Sequence, residues 1–348
     1  MTRWSGLRAQ AVAGLPRPRR SSDGEPTRRH VWVLSGGGAR GAAQAGAISA
    51  LIEAGVQPVA VVGCSVGALN AAFIAGGADA ERAAALEERW LTVDRSDVFG
   101  SSRLATVRNV VARRAALFPQ EPLSRLIDTW LPAVTFEELG VRLRVVTTVL
   151  STGQPAYHDQ GPLNQILLAS AALPGLFPPV ALPIPGRPAA PAGAEPPAMA
   201  AGPAGSAGSA GSARAGGRVE RRRTLMAPPG MQLHVDGGIS QIVPLHAAEA
   251  AGPTDVWVLD VAAAPGTGYW RGRSALGVLG ASVTASMRAR PASTWDAVAV
   301  HHLALRSDLG GRTSVMDFSH AAALIEIGRT VARQVIDTAD VRPRVRSW

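Results

Sequence analysis

Residues Val31–Gly77 read VWVLSGGGARGAAQAGAISALIEAGVQPVAVVGCSVGALNAAFIAGG, and their layout decides the fold. Two apolar β runs, Val31–Leu34 and Val59–Val62, each break into glycines and then into a helical pattern. A strand, tight turn and helix in succession aim backbone N–H groups and a side chain at one point. After Gly41 the apolar positions Ala45, Ile48, Leu51 and Ile52 recur at helical spacing until Gly55 supplies a stop. A helix crossing between two such strands makes them parallel neighbours, so both turns leave the same end of the sheet. The expected class is therefore α/β, a three-layer α/β/α fold with a largely parallel central sheet.

The second turn, Gly63-Cys64-Ser65-Val66-Gly67, is a G-x-S-x-G. In a nucleophile elbow the residues two before and two after the serine must lack a Cβ, because a side chain there collides with the adjoining strand or helix. Gly63 and Gly67 meet that demand. With 38 glycines in 348 residues the pattern alone is weak. Its context strengthens it, because a valine-rich strand precedes Ser65 and Ala68, Leu69, Ala71, Ala72 and Ile74 follow as a helix. Cys64 lies one position before the residue that an elbow presents, so Ser65 is the candidate nucleophile.

The first turn, Gly36-Gly37-Gly38-Ala39-Arg40-Gly41, has two readings. It spells G-x-G-x-x-G, which binds a dinucleotide when an acidic residue ends the next strand. Here the next strand runs into Gly63 and Ser65. The other reading is an oxyanion hole built from backbone N–H groups of Gly36, Gly37, Gly38 and Gly41, with Arg40 adding positive charge. A third short signal is Asp236-Gly237-Gly238 after the apolar run Met231–Val235, where small residues allow a carboxylate to be offered at a tight turn.

GGGARG, then GCSVG, then HVDGG, in that order, resembles the patatin-like phospholipase family of lipid acyl hydrolases. The segment Ala169–Val180, ASAALPGLFPPV, is similar to one lying between serine and aspartate in bacterial members. The resemblance spans about residues 31 to 252, with a weaker echo at 318 to 335. It implies a Ser65–Asp236 catalytic dyad without metal or cofactor, acting on a lipid or small acyl ester. Three departures accompany it: an insertion before the aspartate strand, an unmatched Arg-rich tail, and Gln241-Ile242-Val243-Pro244 where members often carry an asparagine before Val-Pro. On chain order alone His246, His301, His302 and His320 compete as members of a Ser-acid-His triad. None sits in a recognisable catalytic turn, and Asp260 is a lesser candidate for the carboxylate. Two other function classes stay open, a catalytically idle lipid-binding regulator and a dinucleotide-binding oxidoreductase using the first turn.

Composition bounds the rest. With 47% apolar residues the chain buries a sizeable core, and no apolar run is long enough to cross a bilayer. The lone Cys64 forms no internal disulfide, which fits a reducing compartment, and a cytoplasmic location is expected. The net charge is +9. Residues 1–30 carry seven arginines against two acids, and residues 185–223 carry six against two, so these two stretches hold the whole excess. The balanced remainder argues against a nucleic-acid face. Residues 1–29 read as a disordered basic tail, with peripheral contact to anionic membrane as its functional alternative. The acyl hydrolase domain is expected over 30–340, interrupted at about 185–223 by a flexible Ala/Gly/Pro/Ser-rich insertion.

Periodicity predicts further helices at Asp79–Leu91, Ser102–Phe118, Leu123–Trp130, Leu163–Ala171, Ala275–Arg288 and Phe318–Ile336. Strands are predicted at Arg142–Leu150, Gln154–His158 and Val256–Val261, with His158 as a surface residue. Leu173–Pro179 reads either as the wall of an acyl-binding cleft or as a rigid connector.

Overall fold

A computed structural model describes residues 28–101, 116–131, 135–185, 226–262, 298–305 and 315–339. The basic tail up to residue 27, most of the 185–223 insertion, the helix predicted at Ala275–Arg288 and residues 102–115 of another lie outside them.

The predicted β-α-β unit is present as β1 (His30–Leu34), α1 (Gly41–Glu53) and β2 (Pro58–Cys64). Strand β2 continues into α2 (Val66–Ala75), followed by α3 (Ala80–Thr92) and the short α4 (Arg95–Phe99). Helix α3 begins where Asp79 caps it, its carboxylate accepting from the Arg82 N–H at 2.8 Å. Helix α5 (Glu121–Trp130) leads to β3 (Arg142–Val149) and its antiparallel partner β4 (Pro155–His158). Then come α6 (Leu163–Ser170), β5 (Val180–Pro183), β6 (Met231–Asp236), α7 (Gly238–Gln241), β7 (Asp255–Asp260), β8 (Ala299–Ala304) and α8 (Ala321–Thr338).

The strands form one mixed sheet in the order β5-β6-β3-β2-β1-β7-β8, with β4 on β3. From β3 to β8 every pairing is parallel, and the antiparallel pairings gather around β3, β5 and β6. Alternation along β1 shows why both faces are covered. Trp32 and Leu34 enter a large core under α1, α2, α3 and α8, while Val31 and Val33 pack with residues of the 3-10 helix Leu245–Ala251. Helices α1 and α2 are buried along nearly their whole length, as helices apolar all round must be.

The register at β3 positions the chemistry. Strand β2 ends with Cys64 opposite Val146, and β6 ends with Asp236 opposite Thr147. Strand β4 occupies the other edge of β3 over Val145–Thr148, so β2 and β6 share one edge. They approach from opposite directions and stop at adjacent positions, which brings together residues 171 apart in sequence.

Two local expectations are corrected. Residues 116–118, predicted to end a helix, pair instead with the Leu173–Pro179 loop: Leu117 donates to the Gly175 carbonyl and Phe118 to that of Leu176. Pro119 follows Phe118 and disfavours helical backbone before it. His158 is partly buried rather than a surface residue, because the alternation of β4 turns Tyr157 outward, and its ring nitrogen lies 2.8 Å from the Thr147 hydroxyl.

Candidate active site

Ser65 sits between β2 and α2 with φ 55° and ψ −129°, and it is the one non-glycine residue with positive φ among those described. Such backbone costs about 1–3 kcal/mol and persists only where its surroundings enforce it. The flanking glycines are part of that enforcement. A Cβ on Gly63 would lie 2.5 Å from the Ala68 Cα, and one on Gly67 would lie 2.6 Å from the Ser35 carbonyl oxygen. The turn is closed by the Ser65 carbonyl, which accepts from the N–H groups of Ala68 at 2.9 Å and Leu69 at 3.3 Å.

The Ser65 hydroxyl donates to Asp236 Oδ2 at 2.7 Å. The other carboxylate oxygen, Oδ1, accepts from the Gly238 N–H at 2.8 Å and from the Cys64 thiol at 3.9 Å. No cation touches Asp236 among the described residues. Its side chain is buried, and this burial raises its pKa to about 6 against the opposing pull of the Ser65, Gly238 and Cys64 hydrogen bonds. The same burial, with the carboxylate beside it, pushes the Cys64 thiol up, which favours the protonated sulfur over the nucleophilic thiolate.

The segment Ser170–Ala172 braces this junction. Ser170 Oγ accepts from the Ser65 N–H at 2.9 Å and donates to the Val146 carbonyl at 2.7 Å. The Ala172 carbonyl accepts from the Asp236 N–H at 2.9 Å, and the Ser170 carbonyl from the Gly237 N–H at 3.4 Å. Sequence reasoning singled out this stretch but missed Ser170. The available signal was a lone polar residue inside Leu-Leu-Ala-Ser-Ala-Ala at the end of an apolar helix.

The glycine turn lies against the elbow, with a Cβ on Gly36 falling 3.2 Å from the Ser65 Cβ. Its N–H groups are not equivalent. Gly36 donates to the Ile242 carbonyl at 3.0 Å and Ala39 to that of Val315 at 2.8 Å, while Gly41 donates to the carbonyls of Gly38 and Ala39. The Gly36 and Gly41 N–H groups, both in the predicted set of oxyanion donors, are thus already hydrogen-bonded within the fold. The N–H groups of Gly37 and Gly38 have no acceptor among the described residues. Arg40 folds back onto its own turn, its Nε donating to the Gly37 carbonyl at 3.1 Å.

Gly36, Gly37, Gly38, Arg40, Ser65 and Asp236 all face one cavity of about 170 Å³. Its wall is otherwise apolar, with Trp90, Phe99, Trp130, Phe177 and Phe318 prominent. Phe99 stacks on Phe177 with centroids 5.5 Å apart, and Trp90 stacks on Phe318 at 6.2 Å. Leu173, Leu176 and Phe177 belong to this wall, so the proline-rich loop is a cleft wall as well as a connector.

The competing residues are engaged elsewhere. His246 pairs with Glu249, His320 with Asp317, and His301 with Asp255. Asp260 lies 3.1 Å from His302 and also accepts from the Ala262 N–H at 2.8 Å. Among the described residues, no group of three or more His, Cys, Asp or Glu side chains is arranged to hold a metal. No described helix is long and apolar enough to cross a membrane.

A putative patatin-like phospholipase domain-containing protein of Caenorhabditis elegans is 29% identical over 154 residues, covering 44% of this chain and 14% of the relative. The lysophospholipase nte1 of Aspergillus terreus is 32% identical over 152 residues, covering 42% of this chain and 9% of its own length. The chain thus spans a small fraction of these relatives. The crystal structure of VipD from Legionella pneumophila aligns with 92% of this chain and 69% of its own, at 14% identity and a TM-score of 0.45. The family description patatin-like phospholipase matches residues 32–249, which hold the glycine turn, the elbow and Asp236, and the chain belongs to that family.

Proposed function

We propose that the chain is a serine hydrolase of lipid acyl esters working through a Ser65–Asp236 dyad. The observation that carries this reading is the 2.7 Å hydrogen bond from the Ser65 hydroxyl to Asp236, made in the wall of an apolar cavity. Serine is a weak nucleophile until a base takes its proton, and a carboxylate with a pKa of about 6 is ionised at neutral pH yet more basic than an ordinary one.

Ser65 Oγ attacks the ester carbonyl carbon as its proton passes to Asp236. The carbonyl oxygen becomes an oxyanion, for which the N–H groups of Gly37 and Gly38, without an acceptor among the described residues, are the candidate donors. Collapse of this intermediate breaks the bond to the leaving alcohol, which takes the proton from Asp236 and departs, leaving an acyl-Ser65. Water then attacks the acyl carbon while Asp236 accepts a proton from it. Collapse of the second intermediate breaks the bond from the acyl carbon to Ser65 Oγ, Asp236 returns that proton to Oγ, and the fatty acid leaves. The aromatic wall suits an acyl chain, whose burial contributes roughly 0.8 kcal/mol per methylene. Within the family, a lysophospholipid, a phospholipid and a smaller acyl ester are the candidate substrates.

The test is incubation of the purified full chain with a panel of defined lipids and a chromogenic acyl ester, reading released fatty acid by mass. Wild type is expected to release it and Ser65→Ala to lose activity by about 10⁴-fold or more. Activity surviving Ser65→Ala, or a wild type inert on every ester, would overturn the reading.

A further inference from the structure

Beneath the glycine turn runs a chain of buried polar side chains with no part in the proton transfers. Trp90 of α3 donates its indole N–H to Asn70 Oδ1 at 2.9 Å. Asn70 of α2 donates through Nδ2 to Gln44 Oε1 at 2.9 Å and to the Gly41 carbonyl at 3.0 Å. Gln44 of α1 donates through Nε2 to the Ser35 carbonyl at 2.9 Å and to the Leu259 carbonyl at 3.0 Å. Gln44 and Asn70 are wholly buried, and each nitrogen and oxygen of their amides has a hydrogen-bond partner. Ser35 and Gly41 bracket the Gly36–Arg40 turn, so two of these bonds hold its two ends.

The chain has one polarity. An indole N–H only donates, so the Asn70 oxygen must face Trp90, its NH₂ must face Gln44 and Gly41, and the Gln44 NH₂ must face the two remaining carbonyls. Trp90 also lines the cavity that holds Ser65, and its ring packs on Gly41, where an added Cβ would come within 2.8 Å of Cζ2. Amides placed in helices that are otherwise apolar are costly unless they satisfy something specific.

We infer that Gln44, Asn70 and Trp90 are positioning residues that hold both ends of the oxyanion turn in register with Ser65. This rests on the acyl hydrolase reading, because the turn is useful to catalysis only if an oxyanion forms beside it. Donors displaced by about 1 Å stabilise a transition state poorly while barely affecting substrate binding, and such errors cost about 10²-fold in rate.

Two measurements on the full chain test this. The first is amide hydrogen exchange in peptides covering residues 33–43, well below the melting temperature, for wild type, Asn70→Ala, Gln44→Met and Trp90→Phe. Exchange in the turn is expected to accelerate in all three, most in Asn70→Ala, while peptides from β4 and β8, which none of the three residues bonds, keep their wild-type rate. An unchanged turn, or equal acceleration everywhere, overturns the inference whether or not the protein hydrolyses esters. The second is kinetics on a chromogenic ester, with active sites counted by fluorophosphonate titration. Asn70→Ala is expected to lower kcat by about tenfold to a hundredfold with KM within about twofold, and Trp90→Phe, which keeps the ring, to lower it less. A wild-type kcat per titrated site in Asn70→Ala would show that the amides only hold the helices together. If wild type itself is inert, the hydrolase reading fails and the exchange measurement alone decides the role of the chain.

Discussion

Asp236 and Asp255 are carboxylates of one sheet, 2% and 5% exposed, and their environments drive them in opposite directions. Asp236, at the end of β6, meets a hydroxyl, an N–H and a thiol, and burial lifts its pKa to about 6. Asp255, at the start of β7, is also pushed up by burial. The Thr254 hydroxyl and the His301 ring bonded to it, together with His30 and Arg28 nearby, outweigh that push and hold it below the ordinary value. Both carboxylates are buried and hydrogen-bonded, and the balance differs. At Asp255 the Thr254 and His301 hydrogen bonds, with His30 and Arg28 nearby, overcome the push of burial. At Asp236 the bonds from Ser65, Gly238 and Cys64 do not, which leaves it the more basic of the two.

The largest expected break in this contrast is Asp236→Asn, which keeps the shape and removes the base. Hydrolysis should fall by about 10⁴-fold, read from released fatty acid. Stability should move the other way. Because the native pKa of Asp236 lies above its unfolded value of 3.8, the folded state holds the proton more tightly, and stability falls as pH rises from about 4 to about 6. By pH 7 the ionised carboxylate costs up to about 3 kcal/mol. Denaturant melts at pH 7 should therefore show Asp236→Asn more stable than wild type, with the gap closing below pH 4.

The same shift predicts the pH profile of the wild type. The base works only when ionised, so kcat/KM should fall about tenfold per unit on the acid side of pH 6 and level off above it. Smaller again is the effect of Ser170→Ala, which deprives the Ser65 N–H and the Val146 carbonyl of their partner. A stability loss of about 1–3 kcal/mol is expected, with kcat reduced about tenfold as the elbow relaxes. The least effect is expected from Asp255→Asn. Its lowered pKa gives stability that is present above the unfolded value near 3.8 and lost as pH falls through the folded one. Removing it should cost within about 1 kcal/mol at pH 7, measured by denaturant melts, and leave kcat untouched.

How legible each part was depends on whether its cause is local. The elbow could be read because Gly63 and Gly67 answer a steric demand made within five residues, and the β-α-β unit because its period and turn signals are contiguous. Asp236 needed the order of three motifs, since an isolated Asp-Gly-Gly is usually a turn. Ser170 was missed because its hydroxyl serves an N–H 105 residues away, which no spacing encodes. The unequal fates of Gly36, Gly37 and Gly38 were equally hidden, as Gly36 is engaged only because the Ile242 carbonyl comes to rest beside it. Gln44 and Asn70 did leave a trace, one amide in each of two apolar helices, but their partners lie on three other elements. Strand β5 escaped notice because Pro178, Pro179 and Pro183 mask a segment that pairs only along β6.

The most direct test of the account is to quench the full chain during turnover of a chromogenic acyl ester and locate the acyl group by peptide fragmentation. An acyl mass on Ser65 in wild type, absent from Ser65→Ala, is the predicted result. An acyl group on the neighbouring Cys64, or turnover in which Ser65 is never modified, would contradict it.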